Sequence, residues 1–114
     1  MSWEEELNEM NHRANLAEAM GGPEKVARQH EFNKMTIRER IGHIADPDSF
    51  HELGKLAGVG EYDEDGNLTH LTPSNFVFGT ADIDDRPVIL SGDDFTVRGG
   101  SADASIAGKR VQAE

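Results

Sequence analysis

The residues whose types and spacing could do chemistry lie near the end of the chain, in RGGSADASIAGKR, Arg98 to Arg110. Paired glycines let backbone N–H groups come close to a ligand, and a helix start beyond them adds the positive end of a dipole. Arg98, Lys109 and Arg110 make this a locally basic patch in an acidic chain. Such a combination suits a phosphorylated ligand. It lacks the lysine and spacing of a P-loop and the third glycine of a dinucleotide fingerprint. A glycine turn leading into a helix is also a common structural device, so that reading stands beside the ligand reading.

Three other constellations carry less. EYDEDGNLTHLT, Glu61 to Thr72, places oxygens at Glu61, Asp63 and Asp65 with Gly66 at the sharp turn, as a calcium loop would. Thr72 cannot supply the bidentate carboxylate that such a loop needs at its last place, so an Asp65-Gly66 hairpin turn is expected instead. His12, His30, His43, His51 and His70 include no pair three or four apart, the spacing that puts two imidazoles on one helix face for a metal; no metal site is expected. Asp82, Asp84, Asp85, Asp93 and Asp94 are read as turn caps and soluble strand ends rather than as an acid and base pair.

The elements that must position the glycine turn follow from periodicity. Trp3, Leu7, Met10, Ala14 and Ala17 fall on one helical stripe, Ser2 with Glu5 reads as a capping box, and Gly21-Gly22 ends the helix. Pro23 opens a second helix that reaches about His30. Thr36 with Glu39 forms another capping box ahead of Ile37, Ile41 and Ile44, and Asp46-Pro47 breaks that helix. Beyond Ser49, short apolar runs alternate with turn residues, predicting strands over 50–56, 67–71, 75–83 and 86–91, the last two joined at Asp84-Asp85. Asp93 onward reads as extended up to the glycines. Ser101 is the expected N-cap of a helix over 102–113, with Asp103 in its first turn.

The chain has 114 residues, 36% hydrophobic, with Lys+Arg 11, Asp+Glu 22 and a net charge of -11. One domain with a lean core is expected. The negative surface repels phosphates and anionic lipid, so neither nucleic acid nor a membrane is an expected partner. Cys 0 removes disulfides, a thiolate nucleophile and a cysteine zinc site. The acidic start does not suit a signal peptide, and a cytoplasmic protein is expected.

Several ordered motifs carry a resemblance: RERI at Arg38 to Ile41, DPDSFHELG at Asp46 to Gly54, DRPV at Asp85 to Val88, and DFTVRGGS at Asp94 to Ser101. From about Lys25 to Arg110 the chain resembles the N-terminal part of the carboxyltransferase (beta) subunit of biotin-dependent acyl-CoA carboxylases, the propionyl-CoA and acetyl-CoA carboxylase group. The resemblance implies an α/β chain forming the N-terminal part of a crotonase-like spiral. A helical arm would span 1–47; β-hairpins and the first strand, turn and helix of a truncated CoA-binding domain would span 48–114.

The resemblance also implies transfer of a carboxyl group from carboxybiotin to the α-carbon of an acyl-CoA. Biotin would be carried on a separate domain or subunit, and backbone N–H pairs would stabilise the enolate and ureide oxygens. Residue matching gives Arg98, Gly99, Gly100, Ser101, Ala102 and Lys109 as CoA-side candidates, with Arg98 departing from the apolar or aromatic residue of many relatives. No catalytic residue and no directly bound cofactor are expected within the chain. The implied partners are the remainder of the subunit, the biotin carboxylase and biotin carrier components, and further copies when full length. The chain is expected to be a truncation or one piece of a split subunit, inactive alone. The alternative is a non-catalytic module that docks on a partner subunit.

Overall fold

The computed structural model describes residues 2–101 and 104–114. Three helices come first: α1 (Glu4–Glu18), α2 (Pro23–Glu31) and α3 (Ile37–Ile44). Five strands follow: β1 (His51–Leu53), β2 (Gly58–Tyr62), β3 (Leu68–Pro73), β4 (Phe76–Ile83) and β5 (Arg86–Asp93). A 3-10 turn at Arg98–Gly100 then precedes α4 (Ala107–Ala113).

The strands form two antiparallel sheets, β1-β4-β5 and β2-β3. β4 is the central strand and the most apolar, so Phe76, Val77, Phe78 and Ala81 are buried and join Leu68, Leu71, Val97, Ile41 and Ala17 in the core. The β4-β5 hairpin turns on Asp84 (φ 51) and Asp85 (φ 63), the left-handed pair that a two-residue hairpin of the favoured hand requires. Both turn N–H groups donate to the Asp46 carboxylate, at 3.0 and 2.8 Å, so the residue that ends α3 also caps the hairpin.

The Thr36 and Glu39 capping box is present in both directions. The proposed Ser2 box is not. α1 starts one residue later, with Trp3 at its N-cap, so the Ser2 hydroxyl accepts only from the Glu4 N–H at 3.1 Å. The expected strand over 50–56 is cut to His51–Leu53 because Gly54 turns the chain at φ 70. The sequence pattern does not show β2: Gly58 and Gly60 weaken its alternation, and Gly58 sits where the β3 backbone passes too closely for a side chain, a Cβ there standing 2.6 Å from the Thr72 carbonyl oxygen. The Asp65-Gly66 turn does join it to β3, with the Asp63 carboxylate accepting from the N–H groups of Asp65 and Asn67 at 2.9 Å each.

Two expectations near the glycines fail. Phe95 to Val97 is a turn rather than extended chain, because the buried Asp94 side chain draws the Thr96 N–H and hydroxyl back onto itself at 2.9 and 2.6 Å. Of the helix expected over 102–113, the described residues show Ala107–Ala113, with Ile106 at φ 60 ahead of it, and Asp103, expected in the first turn, lies outside the described residues. Ser101 is extended and its carbonyl accepts from Asn75 Nδ2, which ties it to the turn instead of capping a helix.

α1 packs against the β2-β3 hairpin through its C-terminal half. His12 Nε2 lies 3.1 Å from the Leu68 carbonyl, and Arg13 Nε donates to the Leu56 carbonyl at 2.8 Å. Arg38 of α3 grips Glu52 of β1 in a bidentate ion pair. No helix among the described residues is long and apolar enough to cross a membrane.

Candidate functional site

The glycine turn leaves β5 at Asp93 and is built on a buried polar platform. Asn75, fully buried, precedes β4 and donates through Nδ2 to the carbonyls of Val97 at 3.2 Å and Ser101 at 2.7 Å. Its own N–H donates to the Ala104 carbonyl at 3.0 Å, while the Asp94 N–H donates to the Asn75 carbonyl at 2.6 Å. The neighbouring Ser74 hydroxyl donates to the Ser105 carbonyl at 2.6 Å. These bonds fix the loop, because a buried polar group left unpaired costs about 1–3 kcal/mol. Of the Asn75 side chain, only Oδ1 has no partner among the described residues. Asp94 does cap a turn as expected, accepting from the Thr96 N–H, but it is buried rather than at a soluble strand end. The sequence reading missed Asn75. The available signal was the polar Ser74-Asn75 pair set directly against the most apolar strand.

On this platform Arg98, Gly99 and Gly100 take left-handed conformations in succession, φ 49, 60 and 76. The Gly100 N–H donates to the Val97 carbonyl at 3.1 Å and the Ser101 N–H to the Arg98 carbonyl at 3.0 Å. These two N–H groups therefore hold the turn itself. What faces outward is the exposed surface of Arg98, Gly99 and Ser101, with Gly100 half-buried. Ala102 lies outside the described residues.

The structure does not bring Lys109 to that surface. Its side chain is buried, 7% exposed, and lies across Gly54, where an added Cβ would stand 3.1 Å from Lys109 Cε. Burial pushes its pKa below the ordinary value; repulsion from Arg38 adds to this and attraction from Glu52 opposes it. Lys109 thus lies behind the turn, beside the Arg38 and Glu52 pair. Arg110 is likewise committed, with a 2.6 Å ion pair to Asp93 and its guanidinium 4.5 Å from the Phe76 ring centre.

Among the described residues no group of three or more His, Asp or Glu side chains could hold a metal ion, and the Glu61 to Thr72 loop is a hairpin turn.

The class of protein is defined by fold and sequence together. The chain is a mixed α/β unit with a helical arm, and its fold matches that of transcarboxylase 12S, a crotonase-like protein. That crystal structure, with methylmalonyl-coenzyme A and methylmalonic acid bound, superposes with a TM-score of 0.77 at 30% identity, over 99% of this chain and 22% of the other.

Among curated proteins, the propionyl-CoA carboxylase carboxyltransferase subunit of Haloferax mediterranei is 32% identical over 101 residues, 89% of this chain and 20% of that protein. The methylmalonyl-CoA carboxyltransferase 12S subunit of Propionibacterium freudenreichii subsp. shermanii is 32% identical over 106 residues, 93% of this chain and 20% of that protein. A putative propionyl-CoA carboxylase beta chain of Bacillus subtilis is 40% identical over 88 residues, 75% of this chain and 16% of that protein. No protein-family profile matches the chain. The chain spans about a fifth of the length of these relatives. It shares its sequence pattern and its fold with the carboxyltransferase subunits of biotin-dependent acyl-CoA carboxylases, as the ordered motifs implied.

Proposed function

We propose that this chain supplies the CoA-side, N-terminal segment of an acyl-CoA carboxyltransferase, which moves a carboxyl group from carboxybiotin to the α-carbon of an acyl-CoA. In this reading 1–47 is an assembly arm and 48–114 carries the ligand-facing turn. The remainder of the subunit would provide the donors for the enolate and ureide oxygens, and biotin would arrive on its own carrier. The segment binds and orients; it does not turn over alone.

The observation that carries this reading is the turn whose Arg98, Gly99 and Ser101 face outward, with Gly100 half-buried between them, locked from below by Asn75. A turn fixed in this way is pre-organised, so little ordering has to accompany ligand binding. Lys109 acts in this reading through the fold, by filling the space over Gly54, and not as a phosphate contact.

A second reading, a non-catalytic docking module, is favoured by the outer stripe of α1. Trp3, Leu7 and Met10 are 69%, 55% and 53% exposed.

Gly100→Val separates the two. Its φ of 76 makes a β-branched residue strained, whereas the space around its Cβ is ordinary, with the nearest atom at 3.7 Å. The backbone cost is about 1–2 kcal/mol. CoA affinity and melting temperature are measured on the chain alone and on the chain complemented with the rest of a carboxyltransferase subunit. The acyl-CoA reading expects CoA binding that Gly100→Val weakens about tenfold within the folded fraction, a loss of about 1.4 kcal/mol. Unchanged affinity in the folded fraction, or no CoA binding in either form, would leave the docking module as the better account.

A further inference from the structure

The hairpin register leaves one side of β5 open. β5 is an outer strand in the order β1-β4-β5, and it pairs with β4 from Ile83↔Arg86 to Phe76↔Asp93. A two-residue turn closes on a hydrogen-bonded pair, and bonded and non-bonded pairs then alternate along an antiparallel ladder. Arg86, Val88, Leu90 and Gly92 therefore direct their backbone groups to β4, and Pro87, Ile89, Ser91 and Asp93 direct theirs away from it. The Asp94 N–H, next in the alternation, turns back to the Asn75 carbonyl at 2.6 Å, as this phase requires. Among the described residues the outward N–H groups of Ile89, Ser91 and Asp93 have no partner.

This edge is apolar on both faces of the sheet. Ile89 is 62% exposed on one face. On the other, Leu90 joins Met35, Ile37, Ile41 and Ile44 around a groove of about 460 Å³ between α3 and β5. Met35 and Ile44 are exposed as well. A long, apolar, uncovered edge is a template for another strand. Pro87 blocks one position only.

The charges at its two ends select the strand that fits. The exposed Asp84-Asp85 turn stands at one end. Lys34 stands at the other, exposed, over the Phe95 ring and without an ion pair among the described residues. A second copy of β5, antiparallel and related by a two-fold axis through Leu90, sets Ile89 against the second copy's Ser91 and Pro87 against its Asp93. It also brings the acidic turn of each copy to the Lys34 end of the other. The register centred on Ile89 would instead oppose Asp85 and Asp93, two like charges.

We propose that two copies of this chain associate through the β5 edge, joining the three strands of each into one continuous sheet. Leu90 then faces Leu90 across the seam, beside both α3 helices, and Ile89 meets Ile89 diagonally on the opposite face. The same surface serves both copies, so the assembly closes at the dimer. The inference concerns assembly alone and stands apart from the acyl-CoA reading.

The test is sedimentation equilibrium of the full chain from micromolar to millimolar concentration, with amide exchange followed by NMR. Salt of about 0.15 M, where the screening length is about 8 Å, limits the repulsion between two chains of net charge -11. A monomer–dimer equilibrium is expected, with the Ile89, Ser91 and Asp93 amides becoming protected as the dimer fills. Ser91→Pro removes an outward N–H without touching the ladder to β4, and Ile89→Lys puts a charge at the seam. Each should weaken the dimer at least about tenfold. Both positions are exposed, so the melting temperature of the monomer should hold.

Lys34→Glu should weaken the dimer about tenfold. Asp84→Asn with Asp85→Asn keeps the left-handed turn, which asparagine tolerates as aspartate does. This pair should weaken the wild-type dimer about threefold yet strengthen the Lys34→Glu dimer, because it removes an attraction in the first and a repulsion in the second. A chain that stays monomeric at millimolar concentration would overturn the proposal. So would a dimer that survives both Ile89→Lys and Ser91→Pro, or one abolished by Leu7→Asp, which places the seam on the outer stripe of α1. Assemblies that grow beyond the dimer contradict the two-fold register.

Discussion

Gly21→Ala isolates the contact that joins the helical arm to the glycine turn. A Cβ built on Gly21 would stand 1.9 Å from the Thr96 carbonyl oxygen and 2.6 Å from its carbon. Ordinary non-bonded contact is about 3.5 Å, so the elbow has to retreat by about 1.5 Å. The opposing atoms are backbone, and no rotamer change relieves the clash. Overpacking of this kind costs ~1–3 kcal/mol. The retreat also stretches the 3.0 Å hydrogen bond from the Gly21 N–H to Thr96 Oγ1, a loss of about 1 kcal/mol.

The expected destabilisation is about 3 kcal/mol, or a fall of about 12 °C in melting temperature for a chain of this size. Gly42→Ala is the matched control, since nothing lies within 4 Å of a Cβ there and a mid-helix glycine replaced by alanine gains about 1 kcal/mol. Thermal melts of both variants, followed by circular dichroism, decide the matter. The contact argument is refuted if Gly21→Ala melts at or above the wild-type temperature. An unstrained glycine replaced by alanine would do that, because the unfolded chain loses freedom.

Two further outcomes concern titration. The Glu39 carboxyl falls from 4.5 to about 2, chiefly through its hydrogen bond with His30 and then through the Thr36 backbone. A depressed acid contributes stability above its unfolded value, so this contribution should fade as pH falls through the window from 4.5 towards 2. An NMR titration should show Glu39 moving back up in His30→Ala, and a wild-type midpoint near 4.5 contradicts the assignment. Lys109 has the opposite balance: burial holds its pKa below 10.5, so the folded state disfavours the charge and stability should rise with pH towards that value. Lys109→Met, which keeps the stem over Gly54, should abolish the rise and unfold at higher urea than wild type at neutral pH; unfolding at lower urea contradicts it.

Local chemistry was legible wherever a few neighbouring residues settle the outcome. The Thr36 and Glu39 capping box, the Pro23 helix start, the Asp84-Asp85 hairpin and the Asp65-Gly66 turn all follow from side chains within a few positions of the backbone they satisfy. The Ser2 box failed because a helix end can slip by one residue at little cost when solvent can satisfy its N–H groups. β2 escaped because Gly58 answers to the closeness of β3, a neighbour that the alternating pattern within one strand does not reveal.

The order of the motifs and the acidic balance came from the sequence by itself, and with them the family likeness, because residue identity and spacing along the chain are all that these require. The surroundings of the glycine turn were decided only in three dimensions. Asn75 binds carbonyls on either side of Arg98 to Gly100, Gly21 rests on Thr96, and Lys109 folds back over Gly54. Each contact joins segments more than twenty residues apart, where the partner of a polar group is fixed by which strands and helices meet. Sequence spacing therefore showed that a basic glycine turn exists. Packing turned Lys109 away from it and set Lys25, Arg28 and Lys34 around a cavity at the Arg98-Gly99 corner.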